Sequence, residues 1–185
     1  SARTRNQGPT SRRTATPYSG LSSVNVLEKV VYGNGRFVAA TVDGLAVSDD
    51  GAAWRMLPPE GAAWSSGLRY EEDLARFVAV GVGLRHIVTS QDGIHWEAIP
   101  VDADVAVNAV TYGGGRWVAV GVVGGWATSL DGVAWDSGNL PGRWASLNDV
   151  AYGKGLFVTV DSDGGVFTST DGSSWTPSEF QANQI

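Results

Sequence analysis

The chain has 185 residues, 43% of them hydrophobic and 10% aromatic, enough apolar material for one packed domain or a small pair. It has no cysteine, which removes disulfides, thiolate metal sites and cysteine nucleophiles together, and no apolar run approaches the roughly eighteen residues that a membrane-spanning helix needs. The formal net charge of −6 is uneven, because residues 1–20 hold Arg3, Arg5, Arg12 and Arg13 and no acid, so a basic leader precedes an acidic body.

The leader, SARTRNQGPTSRRTATPYSG, has no aliphatic side chain larger than alanine and is rich in Ser, Thr, Gly and Pro. Such a segment cannot offset its ordering entropy by burying apolar area, so it needs something else to hold it. The expectation is an extended anchoring arm, residues 1–20, with Arg3, Arg5, Arg12 and Arg13 as the anchoring side chains on a larger assembly. Nucleic acid is the less favoured partner, since only Tyr18 could stack a base and the acidic body would repel a phosphate backbone. The first residue, Ser1, is consistent with removal of an initiator methionine or of a cleaved signal, and the former is preferred.

From residue 21 onward four repeats follow, at about 21–61, 62–103, 104–143 and 144–185, each with four short apolar runs. In the first the runs are Leu27 to Tyr32, Phe37 to Val42, Leu45 to Ser48 and Trp54 to Leu57. The second has the same plan, except that Glu71-Glu72-Asp73-Leu74-Ala75 replaces the Gly-x-Gly turn of the others and is two residues longer. The third runs are Val107 to Tyr112, Trp117 to Val120, Trp126 to Ser129, and Trp135 onward. The fourth are Leu147 to Tyr152, Leu156 to Val160, Gly165 to Ser169, and Trp175 to about Glu179. Runs of this length, rich in valine and aromatics and bounded by glycine turns, predict an antiparallel four-strand meander in each repeat, strands a to d.

Two markers share one period. Tyr32, Tyr70, Tyr112 and Tyr152 are 38, 42 and 40 residues apart, and Trp54, Trp96, Trp135 and Trp175 are 42, 39 and 40 apart. Each tryptophan closes a heptad S-x-D-G-x-x-W, built on Ser48, Asp50 and Gly51; Ser90, Asp92 and Gly93; Ser129, Asp131 and Gly132; and Ser169, Asp171 and Gly172. The serine hydroxyl and the aspartate carboxylate can accept from nearby backbone N–H groups, and the glycine supplies a positive φ, so the heptad predicts a tight turn between strands c and d. A single four-stranded sheet is marginal. Four of them at a forty-residue period predict an all-β protein, a β-propeller of four four-stranded antiparallel blades. Phe37, Phe77, Trp117 and Phe157 on strand b, with the heptad tryptophans, are then expected to fill the spaces between blades. Two outcomes are open: a closed four-bladed ring, or an arc completed by another chain.

The heptads, preceded by runs such as Tyr112 to Val120, resemble the Asp-box repeats of sialidases, sortilin-type receptors, photosystem assembly factors and many bacterial and phage proteins. The resemblance covers residues 21–180, with one residue fewer between serine and tryptophan than the commoner box. It implies a propeller whose boxes lie on the periphery and are structural. Short propellers of this kind also resemble head- or tail-attached appendages of tailed phages.

A sialidase-like hydrolase would need an arginine cluster, a tyrosine nucleophile with a glutamate partner, and a hub aspartate. Arg36, Arg76 and Arg116 recur at one repeat position, as do the four tyrosines and Asp50, Asp92, Asp131 and Asp171, and periodic residues suit a fold better than a unique site. No catalytic residue is therefore expected, and the chain is read as a non-enzyme. His86 and His95 lack a companion acid at ligand spacing and are expected to be exposed strand residues, and Asp161-Ser162-Asp163-Gly164 lacks the later ligands of a calcium loop, so no metal or cofactor is expected. The residues that break the period, Trp64, Trp126, Trp144 and Arg143, are the expected partner or ligand surface, against the alternative, for Trp64 and Trp144, of extra packing between blades. The function expected is a structural or interaction module of a virion, docked by its arm to capsid or tail proteins. A glycan- or receptor-binding propeller and an assembly chaperone are the alternatives.

Overall fold

A computed structural model of the chain describes residues 27–41, 44–57, 65–81, 86–101 and 106–178. The arginine leader and Trp64 lie outside the described residues. Blade 1 comprises β1 (Leu27–Gly33), β2 (Arg36–Thr41), β3 (Gly44–Ser48) and β4 (Arg55–Met56). Blade 2 comprises β5 (Ser65–Glu71), β6 (Arg76–Gly81), β7 (His86–Ser90) and β8 (Glu97–Pro100). In blade 3 are β9 (Val107–Gly113), β10 (Arg116–Gly121), β11 (Gly125–Ser129) and β12 (Asp136–Asn139), and in blade 4 β13 (Leu147–Gly153), β14 (Leu156–Asp161), β15 (Val166–Ser169) and β16 (Thr176–Pro177). These are four separate antiparallel sheets, each with its strands in sequence order, and the described residues otherwise include only a 3-10 turn at Val122–Gly124. The protein is an all-β four-bladed propeller.

The blades stack because side chains alternate along each strand. On β6, Phe77 and Ala79 face blade 1, where they join Val38, Ala40, Leu45 and Val47 in one buried cluster. Val78 and Val80 of the same strand face the other way and pack with Val110, Trp117 and Ala119 of blade 3. Val118 and Val120 repeat the move against Val150, Phe157 and Phe167 of blade 4. Phe77, Trp117 and Phe157 are fully buried, as expected for filler between blades. Among the described residues no core cluster joins blade 4 to blade 1.

A second contact locks blade 1 to blade 2 and blade 3 to blade 4. A Cβ added at Gly33 would fall inside the ring of Tyr70, and one at Gly113 inside the ring of Tyr152, so the glycine ending strand a seats the tyrosine of the following blade. Blade 2 has Glu71 at that position, and Tyr112 lies against its acidic turn. Burial first, then the charges of Glu71 and Asp73, push the Tyr112 phenol above its ordinary range.

Candidate partner-binding edge

The heptad turns have one geometry in all four blades. In the fourth, Asp171 Oδ1 accepts from the backbone N–H groups of Ser173 at 2.8 Å and Ser174 at 2.7 Å, and from the Ser169 hydroxyl at 3.0 Å, while Gly172 N–H donates to Ser169 Oγ at 2.8 Å. Asp50, Asp92 and Asp131 bind their own turns in the same way, and Ser48, Ser90 and Ser129 take the glycine N–H of theirs. Gly51, Gly93, Gly132 and Gly172 all have φ between 72° and 77°, the left-handed region that a Cβ resists.

Hydrogen bonds to the charged form favour it. The Ser174 and Ser173 amides hold Asp171 well below the usual carboxylate range against the opposing effect of burial, and the Ala134 and Val133 amides lower Asp131. The Ala53 and Ala52 amides lower Asp50. At Asp92 burial opposes ionisation most strongly, yet the His95 amide, the His95 ring and the Ile94 amide together outweigh it. His95 belongs to this turn rather than to a strand, with Nδ1 2.6 Å from Asp92 Oδ2. Every donor here lies within three residues of its acceptor, so the four carboxylates are spent on turns.

The indoles of Trp54, Trp96 and Trp175 donate to the turn glycine carbonyls Gly51, Gly93 and Gly172 at 3.1–3.2 Å. Trp96, Trp135 and Trp175 pack, half-buried, against the cluster between their own blade and the one before it. Trp54, in the first blade, instead lies 6.4 Å from Phe37 of its own sheet.

The opposite edge of the sheets is irregular, and two residues expected at a partner surface meet there. Blade 3 turns between β10 and β11 through Val122, Val123 and Gly124, and the linker from β12 to β13 runs beside it. Gly124 N–H donates to Ala145 O at 2.8 Å, Leu140 N–H to Gly124 O at 2.9 Å, and Ser162 N–H, from the next turn, to Ser146 O at 2.9 Å. An ion pair between the half-buried Arg143 and the buried Asp161 fastens the linker to blade 4: Arg143 Nε and one terminal nitrogen both lie 2.7 Å from Asp161 Oδ2. The other carboxylate oxygen accepts from Asp163 N–H at 3.0 Å and Gly165 N–H at 2.6 Å. Burial raises the Asp161 pKa, but the Gly165 amide and Arg143 prevail and keep it low. The Arg143 guanidinium also sits 5.2 Å over the ring of Phe167.

This frame presents three apolar features. Trp144 is 83% exposed, next in sequence to the pinned Arg143, with exposed Pro141 in the same linker. Val123, also exposed, has φ 56° and ψ 35°, a left-handed conformation that is a genuine outlier for a β-branched residue. The surrounding hydrogen bonds impose it, including Asn139 Nδ2 to Val123 O at 3.0 Å, and strain held this way concentrates at functional loops. Sequence reasoning missed Val123; the available signal was a Val-Val-Gly-Gly turn lacking the Asp or Asn that tolerates positive φ. Trp126 is not part of this surface, because it packs half-buried on Gly138 and the cluster between blades 3 and 4.

No family model matches the chain, and no curated protein matches it. Its fold is that of solved β-propellers. A catalytically inactive virginiamycin B lyase from Staphylococcus aureus with quinupristin is 8% identical with a TM-score of 0.72, over 91% of this chain and 59% of that one. YCF48 from Cyanidioschyzon merolae is 16% identical with a TM-score of 0.63, over 87% and 58%. An ancestral GH74 enzyme is 12% identical with a TM-score of 0.66, over 80% and 23%. The chain thus spans a little over half the length of the first two. The expectation that the chain is not an enzyme is overturned as an inference from its repeats. A lyase and a GH74 enzyme share the propeller at similar distance, and the missing sialidase constellation excludes one chemistry, not catalysis on this fold.

Proposed function

We propose that this chain is a binding module that takes a protein segment on the edge between blades 3 and 4, with Trp144 as the anchor. The observation that carries the reading is the combination of an 83% exposed indole with a frame that fixes its base. An exposed tryptophan does nothing for the stability of the isolated chain, while one covered by a partner buries about 150–250 Å². A rigid mount limits the entropy lost on binding. A solved structure of YCF48, 21% identical with a TM-score of 0.56, is described as bound to a D1 peptide, which supports a peptide as the class of partner.

The test is a displayed peptide library selected on the full chain and on the Trp144→Ala variant. Binders that lose tenfold or more of their affinity on Trp144→Ala, with an unchanged circular dichroism spectrum and Tm, support the edge. Binders indifferent to the change refute it, and Trp144-dependent signal on a glycan array with none on peptides moves the ligand to a sugar.

The setting that fits such a module is a larger assembly, with the arginine leader as anchor and a tailed-phage virion as the particle. The leader composition and the Asp-box resemblance of the heptads support that reading. A chain lacking residues 1–20 that folds but no longer joins the particle is the expected outcome, and unchanged incorporation ends the idea.

A further inference from the structure

The three junctions between blades are built from the same two half-faces. The face toward the following blade carries Val38, Val78 and Val118 on strand b, all fully buried. The face toward the preceding blade carries Leu68, Val110 and Val150 on strand a, also buried, and at two of the three junctions a tyrosine, Tyr70 or Tyr152, seated on the preceding blade's glycine. Among the described residues, each end of the stack leaves exposed part of the half-face that a neighbouring blade covers elsewhere. In blade 4, Val160 is 40% exposed and Leu156 is 38% exposed, although Val80 and Val120, which match Val160 in register, are fully buried. Gly153, which matches Gly33 and Gly113, has no atom within 4 Å of an added Cβ among the described residues, so its tyrosine seat is empty. In blade 1, Val30 is 59% exposed where its counterparts are buried, and Tyr32 is 60% exposed with none of the described glycines beneath its ring.

We propose that two copies of the chain join head to tail, with the blade 4 face of each covering the blade 1 face of the other and Tyr32 seated on Gly153 of the second copy. One molecule carries an empty seat and an unseated tyrosine, and the proposed junction continues a valine packing that the fold uses at three junctions and a glycine seat that it uses at two of them. A head-to-tail contact yields either a closed ring or a filament. Two copies give eight blades and two identical junctions, within the range of about four to eight over which propellers close, whereas three would give twelve. Val30 and Val160 are then buried in the pair as their counterparts are within each chain, Tyr32 gains the cover that Tyr70 has on Gly33, and Leu156, which stands where the other blades have Arg36, Arg76 and Arg116, lies beside the junction.

The experiment is the mass of the full chain in solution by sedimentation equilibrium from about 1 to 100 µM, a range set by the micromolar-to-nanomolar affinity of interfaces of standard size. The expected result is a species of twice the 19.4 kDa chain mass. Gly153→Leu fills the seat where the single chain has room for it, and Tyr32→Ser removes the occupant. Each should halve the mass with the circular dichroism spectrum unchanged, and Val160→Glu checks the same face should either of these misfold. An equimolar mixture of Gly153→Leu and Tyr32→Ser chains retains one intact junction, so a two-chain species should reappear at higher concentration. A wild-type chain that stays single throughout, pairs that survive Gly153→Leu or Val160→Glu, a mixture that fails to associate, or three or more copies in the assembly would each overturn the proposal.

Discussion

Gly113→Ala adds one methyl group at the end of β9, where the ring of Tyr152 already lies. Gly113 is not among the glycines with positive φ, so its backbone accepts alanine and only the ring objects. Forcing a methyl group into filled space costs about 1–3 kcal/mol, and the lost freedom of the unfolded chain returns about 0.4–1 kcal/mol. The net loss is about 1–2 kcal/mol, which in a chain of this size lowers Tm by roughly 2–8 °C. On a Tyr152→Ala background the obstacle is gone, and the same substitution should be neutral or should stabilise by up to about 1 kcal/mol. The double-mutant cycle, read by urea denaturation followed through tryptophan fluorescence, should therefore give a coupling of about 1–3 kcal/mol in favour of the double variant. Equal costs of Gly113→Ala in both backgrounds would refute the view that glycine and tyrosine form a seat between blades.

Acid should weaken the fold through the turns. Asp50, Asp92, Asp131 and Asp171 all have folded pKa values below their unfolded ones, so their contribution is present above about pH 4 and is lost as pH falls through the folded values. The urea midpoint should drop from pH 5 to pH 2, less steeply in Asp171→Asn, and an identical slope in that variant would exclude the turn carboxylate as a cause. Among the tryptophans, Trp117→Ala should cost about 3–5 kcal/mol because the ring is fully buried. Trp135→Ala, at a half-buried site, should cost roughly 2 kcal/mol. The reverse order in chemical denaturation would contradict the packing described between blades 2 and 3.

The blades were legible because their signals are local. Tyr-Gly-x-Gly-Arg between two valine-rich runs specifies a hairpin, and S-x-D-G specifies the next corner, with every group that the turn needs inside the window being read. Even the acidic turn at Glu71 was visible as an interruption. The arrangement at Arg143 was not legible, since its partner Asp161 is eighteen residues away in what reads as a calcium-like loop or a plain turn. The left-handed Val123 was hidden for a related reason: hydrogen bonds from the neighbouring linker impose it against the residue's own preference. Trp126 and Trp144 looked alike as departures from the period, yet one faces blade 4 and the other solvent. Only the register of β11, which pairs Trp126 with Gly138, separates them.

The self-sufficiency of the seven-residue corners bears on how such a chain can change length. Because the serine and aspartate side chains of each corner bond within their own seven residues, a whole forty-residue unit can be duplicated, excised or moved with its turn intact, and the described bonds lost at its boundary are those that reach in from the preceding blade, Asn34 Nδ2 to Gln91 O at 3.0 Å and Arg116 to Asp171 O at 2.9 Å. Beyond those two bonds, such an edit alters which valine face and which tyrosine are left at the ends. Gene-level shuffling of these units would therefore be felt first in assembly and only secondarily in folding.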